Sequence, residues 1–472
     1  MGTIRTGLIR IILPRDDKPL TSEAKTFYKD LRNVVTPMAI QNLISAAVNS
    51  ADVIMLGYIG QTAIAASALA GNVAFILFMV STGLSSGLVM LGAQYWGKKD
   101  TESIKTLLGI GLRICCSVEF IVALVAAFYP RILMLIFTKD EALILEGCKY
   151  LRAVSFSYVC LSFSQMFQAA FKSIERVKIV TIASTTSLCL NIFLNAVFIF
   201  GLLGIPKMGI LGVGIATSIA RFVEMSICLI YAHLQKDVRF SVLCAFRKSK
   251  ILTKDFFKYS LPAVGNELVW GSAFAMYSVI LGHLGEDIVA ANSVVGTVRQ
   301  LGTVLCFGLA YGGAIVVGKN IGSGNMELAE RNASRLARIT ILSGVLGAVL
   351  IVCLYPVLPY IAKLNETAAH YRNAILFMNT YSIIGASINT VLICGIFRAG
   401  GDSKFGFVAD TINMWCISVP LGLLAAFVFK LPPLWVYFVL YLDEFEKMPF
   451  VIRHYFKKGW LKNITRDITD SN

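Results

Sequence analysis

Asn42, Ser45, Asn49 and Asp52 recur at helical spacing inside an otherwise apolar stretch. A helix there carries all four down one face. Lipid tails cannot solvate such a stripe, so it is expected to face the interior of a helix bundle. Asn191 and Asn195, four residues apart, offer a second polar face. Carboxylate and amide oxygens suit a hard cation such as sodium. A carboxylate taken out of water can equally exchange a proton, because burial penalises its charged form. Polar packing between helices is the competing reading. No phosphate-binding loop is visible and none of the four histidines clusters with metal ligands, which disfavours ATP as the direct energy source and gives no transition-metal site. The pattern predicts ion binding and release, not an enzyme.

A second group of costly residues lies in the other half of the chain: Glu267, Arg299 and Asp410. Arg299 is expected to neutralise either acid, giving a structural ion pair. The sharper alternative is a second proton or substrate-cation site. Trp270, Phe274 and Tyr277 recur along one helical face, and aromatic walls near an acid suit lipophilic cations. Pro37 and Pro262 fall at the starts of their apolar stretches and are expected to act as hinges, because proline removes a backbone hydrogen bond. Further candidates are Glu119, the i,i+3 pair Arg221 and Glu224, Gln165 and Gln168, and Asp443 with Glu444.

The elements that hold these residues follow from composition. Of 472 residues, 56% are hydrophobic and 15% charged, and mean hydropathy is +0.71. Soluble domains carry roughly 25% charged residues, so much of this surface must face lipid. Twelve apolar stretches read as spans, near 33–58, 64–92, 107–130, 148–171, 179–201, 209–233, 259–283, 289–317, 339–362, 374–397, 405–429 and 433–453. With both termini in the cytoplasm, inner loops and tails hold 31 Lys and Arg and outer loops 8, a strong positive-inside bias. The net charge of +15 therefore points to membrane topology and not to nucleic acid. The expected protein is an all-α multi-pass protein of the plasma (inner) membrane. Its divisions are a cytoplasmic segment 1–32, an N-lobe 33–233, a cytoplasmic linker 234–258, a C-lobe 259–453 and a cytoplasmic tail 454–472.

The two lobes are copies. Shifting the chain by 225 lays YIGQTAIAASALAGNV from Tyr58 on HLGEDIVAANSVVGTV from His283, and Pro37 on Pro262. Six spans per half make the repeats parallel. With a one-residue slip further along, Asp52 falls on Tyr277, Asn191 on Ile417 and Asn195 on Leu421. The oxygen-rich cluster thus exists in the first copy alone, as a single cation site would require. Paired lobes around a central cleft suit alternating access.

These features together resemble the multidrug and toxic compound extrusion (MATE) family over nearly all of residues 30–455. The resemblance rests on SADVIMLGYIGQTAIAA, GAQYWGKKD, NIFLNAVFIFGLLGIPKMGILGVGIAT and FRAGGDSKFG. It implies a secondary antiporter exporting organic, often cationic compounds in exchange for sodium ions or protons, without a cofactor. Its partners would be a small-molecule substrate and membrane lipid, with no nucleic acid, and it would work as a monomer. By the same resemblance Asp52, Asn191 and Asn195 form the first-lobe cation site, with Tyr150 and Thr217 completing it. Many relatives have Asp where this chain has Asn195. The seventh-span glutamate of some relatives corresponds to Glu267, and their tenth-span aspartate has no counterpart in 374–397. A flippase for lipid-linked saccharides is the alternative, disfavoured because the mid-membrane inventory is acidic or neutral apart from Arg299.

Overall fold

The computed structural model describes residues 22–57, 61–235, 238–361 and 364–467, and its architecture is helical throughout them. The long helices are α1 (Ser22–Gly57), α2 (Gln61–Gly97), α3 (Thr101–Phe128), α4 (Glu141–Ser173), α5 (Val177–Phe200) and α6 (Gly209–Leu234). The second set is α7 (Lys250–Gly282), α8 (Glu286–Gly322), α9 (Met326–Leu354), α10 (Glu366–Phe397) and α11 (Ser403–Val428). The last, α12, is broken into Pro433–Leu440, Asp443–Glu446 and Met448–Phe456. The uniform span expected at 433–453 is thus interrupted. Pro449, at the start of the final piece, cannot donate a backbone hydrogen bond.

Among the described residues, eight of these helices are long and apolar enough to cross a membrane. Their outward side chains include Phe75, Ile76, Phe120, Ile121, Val349 and Val352. So much exposed apolar surface is stable only against lipid. The protein is a multi-pass membrane protein.

The duplication is visible in the caps. Asp100 accepts the Ser103 amide at the start of α3, 3.0 Å away. Its repeat partner Asn325 accepts the Leu328 amide at the start of α9, also at 3.0 Å. Asp140 caps α4 and Asn365, again 225 positions on, caps α10. A short polar side chain at these points accepts an amide that the helix leaves unpaired. Gly97 and Gly322 are likewise repeat partners and meet. A Cβ on Gly97 would overlap the Lys319 carbonyl, and one on Gly322 the Gln94 carbonyl. Only glycine allows backbones so close.

The compact units depart from the lobe boundaries read in sequence. One unit comprises residues 40–92 and 100–264; the other comprises the chain up to 39, 93–99 and everything from 265. The stretch expected to be a cytoplasmic linker, 234–258, is counted in the first of these, where the Cys244 carbonyl lies where a Cβ on Gly109 would sit. In the other unit, Phe27 and Leu31 of α1 are buried in the same core as Leu336, Ile396 and Trp460. The start of α1 packs there because Gly308 and Gly312 of α8 leave room for Val35. Pro37 and Pro262 are not at helix starts. Each lies inside a continuous helix, two residues before the position where that helix passes from one unit to the other.

Candidate functional site

In the unit containing residues 40–92 and 100–264, α5 and α6 bring three of the expected site residues together. The Asn191 amide nitrogen donates to the Thr217 hydroxyl at 3.3 Å. The Asn195 amide nitrogen donates to the Asn191 side-chain oxygen, also at 3.3 Å. The four-residue spacing on α5 makes the second contact and helix packing makes the first. Thr217 additionally donates to the Val213 carbonyl at 2.9 Å, which fixes its rotamer. Asn195 is 2% exposed. Helix α4 joins at Gly214, one turn before Thr217: a Cβ there would press on Ala153 and the Tyr150 carbonyl, and Ser218 donates to the Ala153 carbonyl at 2.7 Å. Tyr150 is therefore on the helix beside Thr217, half-buried. Helix α1 carries Asn42 and Ser45, both half-buried, while the side chains at 46–54, including Asn49 and Asp52, lie outside the described residues.

The same unit holds two further acids. Glu224 is 2% exposed and accepts from Gln168 at 2.8 Å, Ser184 at 3.1 Å and Arg221 at 2.7 Å. It is the knot that ties α4, α5 and α6. Glu119 of α3 is buried and accepts from Ser81 of α2. Sequence had marked both acids, but Ser81 and Ser184 look like ordinary small residues there, and only the fold makes them partners.

In the other unit the acids have partners different from those expected. Arg398, just past α10, donates to Glu267 at 3.0 and 3.1 Å and to Asn266 at 2.8 Å. Asn266 in turn donates to Asp410 at 2.6 Å, and Lys447 of α12 donates to Asp410 at 3.3 Å. Arg299 neutralises neither acid. Its guanidinium sits over the rings of Phe274 and Tyr441, 4.9 and 5.1 Å from their centroids. The aromatic patch expected for an organic cation thus already holds one of the protein's own. Trp270, Phe274 and Tyr277 do follow one another edge to face, at 4.6 and 5.5 Å. Tyr277, however, is buried within its unit's core, because Tyr441 packs against it.

Helices α10 and α11 contain π-helical turns at Val391–Phe397, Thr411–Ser418 and Leu424–Val428. Their repeat counterparts α4 and α5 are regular. A π turn widens the helix and rotates every side chain that follows. Asn195 is buried, and Leu421, its sequence counterpart, is 44% exposed. Leu421 therefore does not occupy the buried position of Asn195.

The MatE family pattern matches this chain twice, over residues 37–197 and 262–424. The chain belongs to the MATE family. The two MATE matches start at Pro37 and Pro262, the repeat offset seen in the caps. Among MATE relatives, a probable multidrug resistance protein NorM from Rhizobium meliloti is 24% identical over 403 residues, 84% of this chain and 85% of its own length. Multidrug and toxin extrusion protein 1 from Xenopus tropicalis is 24% identical over 444 residues, 92% of this chain and 74% of its own. A solved MATE structure, described as the outward-facing conformation of a multidrug resistance transporter, superposes with a TM-score of 0.83. It has 16% identity and covers 93% of this chain and 98% of its own. The fold is that of a MATE transporter.

Proposed function

We propose that this MATE-family chain is a secondary active antiporter. It exports organic, often cationic and lipophilic compounds in exchange for sodium ions or protons. The hydrogen-bonded run Asn195–Asn191–Thr217 carries the reading: two amides and a hydroxyl gathered on neighbouring helices supply neutral oxygens for a small cation, with Tyr150 on the adjoining helix. Asp52 supplies the negative charge. The names of the multidrug resistance relatives support an organic cargo.

Coupling requires that the cation bind the two access states with different free energies. Asp52 and Pro37 share α1, so cation binding and bending act on one helix. Pro262 gives α7 a matching hinge. Both termini are cytoplasmic, the site of action is the plasma membrane, and the working unit is a monomer with no cofactor.

The test is ethidium efflux from proteoliposomes under a sodium gradient and a proton gradient imposed separately. One gradient is expected to drive efflux, and Asp52→Asn to abolish it. Efflux by Asp52→Asn at the wild-type rate would overturn the cation site; no efflux under either gradient would overturn antiport of this compound class.

A further inference from the structure

Helix α12 carries a buried charge cluster that the first-lobe site does not use. Lys447, 4% exposed, places its ammonium 3.3 Å from Asp410, 3.3 Å from Glu444 and 4.0 Å from Asp443. Three carboxylates thus surround one ammonium, and all are buried. Leaving an uncompensated charge in such a place is costly. The three acids are not equally served. Asp410 accepts from Asn266 at 2.6 Å and from Lys447. Glu444 accepts from Asn389 at 2.8 Å and pairs with Lys447. Asp443, 2% exposed, has the ammonium no closer than 4.0 Å, and its Oδ2 closes no hydrogen bond among the described residues. Unpartnered oxygens at this depth are exceptions that call for an explanation.

We propose that Asp443 is a proton-binding site in this second unit: its Oδ2 takes a proton from water and returns it. The step moves one proton between Oδ2 and water and leaves no other group changed. Charge balance singles out this state. Arg299 of α8, seated over Tyr441, also bears on Asp443. With Asp443 protonated, two carboxylates face two cations and the cluster is neutral. The remaining polar neighbours do not alter the sum, since Tyr277, Tyr437 and Tyr441 are neutral phenols and Glu267 is balanced by Arg398. Protonation also relieves the cost of an unsatisfied, buried carboxylate oxygen, because the neutral carboxyl is far less penalised away from water than the anion. The assignment does not rest on the proposed first-lobe cation site.

The test is infrared difference spectroscopy of the full-length protein in lipid nanodiscs, titrated from acid to alkaline buffer, which needs no transport. The carbonyl stretch of a protonated carboxyl, isolated by subtracting the Asp443→Asn spectrum, is expected in acid and lost on the alkaline side. Glu444→Gln removes a like charge, so the proton is expected to leave at lower pH. An Asp443→Asn spectrum identical to wild type, a band lost equally in Glu444→Gln, or a titration unmoved in Glu444→Gln would overturn the assignment.

Discussion

Lys447 and Asp410 face each other across α12 and α11 at 3.3 Å, both buried, and neither was paired with the other by sequence. Breaking a buried pair leaves the surviving charge uncompensated. Lys447→Met is therefore expected to cost about 3–5 kcal/mol. Thermal unfolding in detergent measures this, and the double variant with Asp410→Asn should lose less than the sum of the singles. Strict additivity would show that the pair is not coupled.

The glycines give a contrast of opposite signs. Gly97 and Gly322 abut each other's helix backbone, which cannot give way as a side-chain tip can. Gly322→Val is expected to destabilise by about 1–3 kcal/mol or more, with loss of monodisperse protein on size exclusion. Gly71 and Gly296, also repeat partners, have open space where a Cβ would go. Alanine at either is expected to stabilise by about 0.5–1 kcal/mol through helix propensity. Unfolding temperatures of the variants decide both signs.

The chain past α12 is anchored by Gln94. Its amide nitrogen donates to the Ala399 and Lys462 carbonyls at 2.7 and 3.2 Å, and its oxygen accepts the Ile464 amide at 2.8 Å. Trp460 is buried against Tyr455. Trp460→Ala is expected to cost about 3–5 kcal/mol and Gln94→Ala about 1–3 kcal/mol. Limited proteolysis should then cut after residue 457 in both variants and spare the wild type.

For the proposed cation site, Asn191→Ala and Thr217→Ala are each expected to slow gradient-driven efflux about three- to tenfold, the equivalent of one hydrogen bond. Because the two side chains bond each other, the double variant should lose less than the product of the single losses. Independent multiplication in proteoliposome efflux would separate their roles.

The sequence by itself determined the helical membrane class, the number of spans and the parallel duplication. Those depend on how many apolar residues run together and on where loops repeat, which are local properties of the chain. It also placed Asn191 and Asn195 on one face, because a regular helix converts spacing into direction. The tertiary structure decided what spacing cannot encode. Arg398 and Lys447, not Arg299, neutralise Glu267 and Asp410, since charges pair by distance in space and not by position along a span. Leu421 of α11 is exposed where its counterpart Asn195 is buried, and the π turn that precedes it breaks the regular spacing that a constant offset assumes. The starts of α1 and α7 each belong to a different unit from the rest of their helix: Gly308 and Gly312 of α8 admit Val35, Gly83 and Gly87 of α2 admit Val264 and Ser260, and only packed backbones reveal where that room lies.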